Sequence, residues 1–134
     1  MDPLRLQKID LFRSLPKSDL ARVAQWTDEV DVPAGTVLGR EGSVAYEFFV
    51  IEDGAARVTI GDEAVADLGP GEWFGEIGLI ETERRTATVT ASTAMRLAVI
   101  FGPNFRELTR SMPDVAAAIR AELERRLERS ATVD

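Results

Sequence analysis

Residues 71–91 read Gly71-Glu-Trp-Phe-Gly-Glu-Ile-Gly-Leu-Ile-Glu-Thr-Glu-Arg-Arg-Thr-Ala-Thr-Val-Thr-Ala91. A glycine, a carboxylate and small residues stand ahead of an arginine and a run in which threonine alternates with apolar side chains. Gly75, placed before a short helix, lets backbone N–H groups come close to an anion. Glu76 can accept a hydrogen bond from a hydroxyl, and Arg85 offers a planar fork of donors to phosphate oxygens. If the strand that follows begins at Arg85, the guanidinium shares the inward face with Ala87, Val89 and Ala91. A buried guanidinium requires a partner, either a carboxylate of the protein or a bound anion. Taken singly, each residue also has a plainer explanation. Glu76 could complement the dipole of a helix start, Arg85 could pair internally with Glu76, and Thr86 could be an ordinary threonine on a wet strand face.

Outward from this stretch, the middle of the chain has the pattern of short strands and turns. Asp28–Val32 begins a β region and is followed by Pro33-Ala-Gly35. Tyr46–Ile51 is rich in aromatic and β-branched residues and leads into Asp53-Gly54, which suggests a two-residue type I′ hairpin turn. Ala56, Val58 and Ile60 alternate with Ala55, Arg57 and Thr59, as in a half-buried strand. Gly61-Asp62 suggests a second tight turn, Val65–Leu68 the strand after it, and Gly69-Pro-Gly71 a break. Met95–Phe101 makes a last strand. Strands of this length and spacing suggest a closed or sandwich-like antiparallel structure.

Helices flank that core. Residues 1–26 read as short helices, with Ser18 or Asp19 as the cap of a segment whose apolar face holds Leu20, Val23, Ala24 and Trp26. Pro103–Arg110 suits one helix. Asp114–Arg129 suits another, with Val115, Ile119, Leu123 and Leu127 every four residues and the opposite-charge pairs Arg120/Glu124 and Glu122/Arg126. Ser130–Asp134 is expected to fray.

Composition narrows the functional classes. The chain has 134 residues, 45% hydrophobic and 29% charged, which suits a single soluble domain over 1–134. No apolar run is long enough for a membrane span, and Met1–Lys8 lacks a signal peptide's apolar segment. With no cysteine to indicate a disulfide scaffold, a cytoplasmic location is the expectation. The net charge of −7 argues against nucleic acid as partner. Between Asp28 and Glu83 fourteen acidic residues face only Arg40 and Arg57, so an anion site must be local. No histidine is present, and Lys8 and Lys17 lie far from residues 71–91. The usual catalytic bases, nucleophiles and metal ligands are thus missing, and catalytic and metal sites are expected to be absent. Gly69-Pro-Gly71 lacks the spacing of a dinucleotide loop, and no lysine follows a glycine-rich loop as phosphate transfer would require.

The run Phe74-Gly75-Glu76-Ile77-Gly78-Leu79, followed nine residues after Glu76 by Arg85-Thr86-Ala87-Thr88-Val89, resembles the phosphate-binding cassette of the cyclic nucleotide-binding domain family. Catabolite activator protein and the regulatory subunits of cyclic-AMP-dependent protein kinase are members of it. The resemblance extends less sharply over about residues 10–128. It implies an α+β fold: a jelly-roll-like antiparallel β-roll of about eight strands over 27–101, N-terminal helices over 3–26 and two C-terminal helices over 103–129. It also implies a ligand and its contacts. Glu76 would accept from the ribose 2′-hydroxyl of a cyclic nucleotide, and Arg85 would hold the phosphate, with Thr86 and Ala87 beside it. Phe74, Gly75, Ile77, Gly78 and Leu79 would complete the cassette. Arg84 departs from the proline common at its position and reads as a solvated charge.

The base end is open to several readings. Arg120, Arg125 and Arg126 could meet a base or simply pair along their helix; Arg120 and Leu123 are the candidate lid contacts. The final helix could close over the ligand, pair with a second copy, or only pack on its own roll. On family frequency cyclic AMP is the expected ligand, with cyclic GMP possible and no further cofactor. The implied role is a regulatory sensor that relays occupancy to an effector protein, a fused domain or a homodimer. No room is expected after Arg129 for a DNA-binding domain. The alternative is a structural or interaction domain of the same fold that binds no nucleotide.

Overall fold

The computed structural model describes residues 1–133. Helix α1 (Pro3–Leu6) and a 3₁₀ turn at Asp10–Phe12 lead to α2 (Lys17–Trp26). Eight strands follow: β1 (Thr27–Val32), β2 (Val37–Gly39), β3 (Glu47–Asp53), β4 (Ala56–Ile60), β5 (Glu63–Leu68), β6 (Trp73–Phe74), β7 (Thr88–Ala91) and β8 (Met95–Phe101). The chain ends in α3 (Gly102–Ser111) and α4 (Pro113–Val133). All strand pairs are antiparallel, in two four-stranded sheets ordered β1-β8-β3-β6 and β2-β7-β4-β5. The expected β-roll with helices at both ends is the observed architecture.

Strands β3 and β8 explain why the roll and the helices hold together. Phe48 and Val50 on β3, with Ala98 and Ile100 on β8, face a core built with Leu6, Phe12, Leu20, Val23, Phe105 and Ile119 from the helical segments. Their neighbours Phe49, Ile51, Leu97 and Val99 face the interior of the roll, with Ala56, Phe74, Val89 and Ala91. Successive strand residues point to opposite faces. A strand covered on both faces therefore needs an unbroken apolar run, which Phe48–Ile51 and Leu97–Ile100 supply.

Several local expectations are corrected. Asp53-Gly54 does not close a type I′ hairpin, because β3 pairs with β6 and β8 while β4 lies in the other sheet. Asp53 also lacks the positive φ that such a turn needs at both positions. The connection crosses between sheets instead. By contrast, Gly61-Asp62 does join a true hairpin, with Ile60 opposite Glu63. The cap of α2 is Pro16 rather than Ser18 or Asp19, and no side chain caps it. Within the N-terminal segment read as short helices, Asp10–Phe12 forms only a 3₁₀ turn. Helix α4 continues through Val133 where fraying from Ser130 was expected; Asp134 lies outside the described residues. Of its four-residue stripe, Val115, Ile119 and Leu123 are buried and Leu127 is 41% exposed.

Phe105 is fully buried, with its ring centroid 4.6 Å from that of Phe48. Phe105→Ala should lower stability by about 3–5 kcal/mol through lost burial and a residual cavity. Leu127→Ala, on the exposed side of α4, should change it by no more than about 0.5 kcal/mol. Urea denaturation of both variants measures the contrast.

Candidate functional site

Between β6 and β7 the chain makes a short helical turn, with Gly78–Thr82 in π geometry, and Glu83 closes it in the left-handed region at φ 62°. Arg84 then bridges to Val44, donating from Nη1 to Gly42 O at 2.9 Å, while Arg85 N donates to Ser43 O at 2.7 Å. Arg84 is exposed, as expected of a solvated charge, and also makes this backbone bond. It ties the turn to the loop after β2 and so helps place its neighbour.

One pocket of about 300 Å³ collects most of the expected residues: Phe74, Gly75, Glu76, Ile77, Gly78, Arg85, Thr86 and Ala87. Leu79 is the exception among the cassette residues; it packs in the helix-facing core. Arg120 is exposed and Leu123 is 1% exposed in the packed face of α4, and neither lines the pocket. The residues that α4 does contribute are Glu122 and Arg126, one helical turn apart on the pocket side. A wider cleft of about 1010 Å³ lies elsewhere, but its arginines are already matched, Arg5 with Glu29 and Glu52 and Arg96 with Asp31.

Arg85 is half-buried, and its bonds go to backbone. Its Nη2 donates to Glu47 O at 2.9 Å and its Nη1 to Gly75 O at 3.5 Å. The guanidinium carbon sits 5.6 Å from the Phe49 ring centroid, and that ring stacks on Phe74 at 4.7 Å. Among the described residues no carboxylate pairs with it. Burial lowers its pKa, against the pull of the Glu47 and Glu76 charges; a guanidinium still remains charged. Gly75 has φ +99°, and a Cβ there would stand 2.6 Å from Arg85 Nη1 and 2.8 Å from Glu47 O. Glycine is thus needed for both the backbone and the close approach. Arg85 precedes β7 rather than belonging to it, so strand alternation does not place it; it lines the pocket together with Thr86, Ala87 and Val89.

Glu76 is fully buried. Its Oε1 accepts from Arg126 Nη1 at 2.5 Å, while Oε2 is buried and has no hydrogen-bond partner among the described residues. Arg126 also donates to Glu122 at 3.1 Å and to Trp73 O. Burial raises the Glu76 pKa, opposed by the Arg126 charge. For Glu122, burial pushes upward, but hydrogen bonds from Arg125 and the Arg126 charge outweigh it and leave the pKa low. Of the three arginines open to either reading, Arg126 is the one on the pocket wall, and its bond to Glu76 is the contact the sequence did not indicate. The Glu122/Arg126 spacing accounted for its charge locally and gave no sign of a partner fifty residues away.

A pocket of about 300 Å³ that holds a guanidinium with no carboxylate partner and a buried carboxylate suits a ligand with both an anionic and a hydroxyl group. Consistent with this, residues 29–112 match the family model described as cyclic nucleotide-binding domain. The chain belongs to that family. It is 37% identical over 119 residues to a cyclic nucleotide-gated potassium channel of Rhizobium etli, covering 88% of this chain and 33% of the channel. It is 36% identical over 104 residues to the cAMP-dependent protein kinase regulatory subunit of Schizosaccharomyces pombe, covering 77% of this chain and 25% of that protein. Among solved structures, the Thermus thermophilus catabolite activator protein superposes with a TM-score of 0.76 at 27% identity, over 91% of this chain and 60% of that one. The chain thus spans about a third or less of the length of these two curated relatives. Among the described residues no helix is long and apolar enough to cross a membrane, and no cluster of metal-ligating side chains occurs.

The Glu76 carboxyl sets a pH test of the free protein. Its folded pKa lies above its ordinary value of 4.5. The folded state therefore holds more protons than the unfolded state between those two values. The stabilising contribution is full below the ordinary value and is lost as pH rises through the folded pKa. The stability difference between wild type and Glu76→Gln should accordingly shift against the wild type as pH rises from 4.5 towards neutrality. Urea titrations across that range should show the slope; a pH-independent difference would contradict the burial-raised carboxyl.

Proposed function

We propose that this chain is a regulatory sensor that binds a 3′,5′-cyclic nucleotide, cyclic AMP in the first instance, and transmits occupancy through α4. The observation that carries the reading is the pairing pattern of the two cassette charges. Among the described residues Arg85 is held by two carbonyls and the Phe49 face with no carboxylate, and Glu76 spends one oxygen on Arg126 while the other finds no partner. A domain of this fold that had given up nucleotide would have reason to neutralise Arg85 with an acid of its own, with Glu76 the nearest candidate. Here that acid faces the other arginine.

In the bound state the cyclic phosphate would sit on the uncommitted N–H groups of Arg85, with Thr86 at the pocket mouth. The ribose 2′-hydroxyl would donate to Glu76 Oε2 and satisfy a group whose desolvation otherwise costs about 1–3 kcal/mol. The apolar wall formed by Val58, Ile60 and Leu68 would flank the base. The name of the fission yeast relative, a cAMP-dependent regulatory subunit, supports the choice of cyclic AMP. The chemistry asked of these residues is binding and orientation, without turnover. Effector, oligomer and cytoplasmic location belong to the same proposal.

Calorimetric titration tests the binding half. Wild type should bind cyclic AMP, and Arg85→Ala should lose about 2–5 kcal/mol of binding free energy. The 2′-deoxy analogue should also bind more weakly, since Glu76 Oε2 would stay unpaired. At a hundredfold excess over Kd the ligand should stabilise the fold by about 2.7 kcal/mol in a thermal shift. Absence of any shift with millimolar cyclic AMP or cyclic GMP would favour the nucleotide-free alternative.

The relay half rests on Arg126, which joins α4 to Glu76 and to Trp73 O. Amide hydrogen exchange across α4 should change on adding cyclic AMP to wild type. In Arg126→Ala the ligand should still bind while the change in α4 is lost. An equal response in both proteins would remove Arg126 from the relay.

A further inference from the structure

Gly39, at the end of β2, is a glycine that its own backbone does not require. Its φ is not in the left-handed region, unlike that of Gly75 or Gly54. Within a strand, glycine is less stable than alanine by roughly 0.5–1 kcal/mol, and it often marks a place where another group approaches closely. The group that approaches is Arg85. A Cβ built on Gly39 would meet Arg85 Nε at 3.4 Å, Cδ at 3.5 Å and Cγ at 3.7 Å, and no other residue supplies a nearer atom. A register shift between Val37 and Gly39 brings this position opposite Val89, and Gly39 itself lines the pocket.

The donors of Arg85 divide accordingly. Nη1 and Nη2 are directed at Gly75 O and Glu47 O, on the side of the guanidinium that holds it in place. The Nε–H makes no hydrogen bond among the described residues, and it is the donor next to Gly39. An arginine grips a phosphate well with two parallel N–H groups. With one edge committed to the backbone, the side-on edge that includes Nε is the one available for a second grip.

We infer that Gly39 is a positioning and specificity residue for the anion, holding the Nε edge of Arg85 open to the ligand phosphate by carrying no side chain larger than a methyl. This rests on the cyclic nucleotide reading above. A single methyl would be in ordinary contact with Nε, whereas a β-branched side chain reaches further and covers the donor or turns the guanidinium aside.

The test is a short series titrated with cyclic AMP by calorimetry. Gly39→Ala should bind within about threefold of wild type. Gly39→Val should bind at least about tenfold more weakly, with a denaturation midpoint equal to or above wild type because valine favours strands. In an Arg85→Lys background, which keeps the charge but has no Nε edge, Gly39→Val should add no more than about twofold. Independently of any Gly39 variant, the Arg85 Nε–H resonance of the wild type, assigned by its loss in Arg85→Ala, should shift and exchange more slowly when cyclic AMP is added. Gly39→Val binding within about threefold of wild type, an equal loss in the Arg85→Lys background, or an unmoved Nε–H signal in the liganded wild type each overturns the inference while leaving the cyclic nucleotide reading intact. Failure of the wild type to bind any cyclic nucleotide overturns that reading, and this inference with it.

Discussion

Taking the Arg85 guanidinium half out of water creates a demand that the protein meets only in part. Two carbonyl oxygens and the face of Phe49 hold the group in position, but neither brings a full negative charge. The surroundings are shaped by that choice. Gly75 adopts a backbone that only glycine enters easily, Arg84 and the loop at residues 42–45 brace the turn, and Phe74 supports Phe49 from behind. Such an arrangement is stable as built and gains further when an anion supplies the missing counter-charge. A site left short of counter-charge has more to gain from an anionic ligand than a fully neutralised one.

The second charge, Glu76, connects that site to the rest of the chain. It lies deep enough that its ionised form is disfavoured, and Arg126 is the group that compensates. Arg126 comes from α4 and also contacts Trp73 O beside the pocket and Glu122 on its own helix. The helix position and the charge balance of the pocket are therefore coupled. A ligand that changes what Glu76 requires changes the free energy of holding α4 in place, which is the differential contact any population shift must have.

Much of this was legible in residues 71–91, because the cassette is local: the glycine, the carboxylate and the arginine lie within one turn and one strand of each other. The strands and terminal helices could be read from periodicity. What escaped was non-local. Asp53-Gly54 has the composition of a hairpin turn, and only the division of β3 and β4 between sheets shows that it is a crossover. The doubly apolar runs in β3 and β8 marked buried strands without saying that two different cores lay on either side. The Glu122 spacing gave Arg126 a sufficient local partner, so nothing local separated it from Arg120, which faces outward, or pointed to Glu76.

The two faces of β3 and β8 have a consequence for substitutions. Positions 48, 50, 98 and 100 touch the helical layer, while 49, 51, 97 and 99 touch the roll interior from which the ligand pocket is built. Adjacent residues on one strand thus carry separate packing demands. A substitution at one parity repacks the helical layer and one at the other repacks the roll interior, so the two layers can change largely independently.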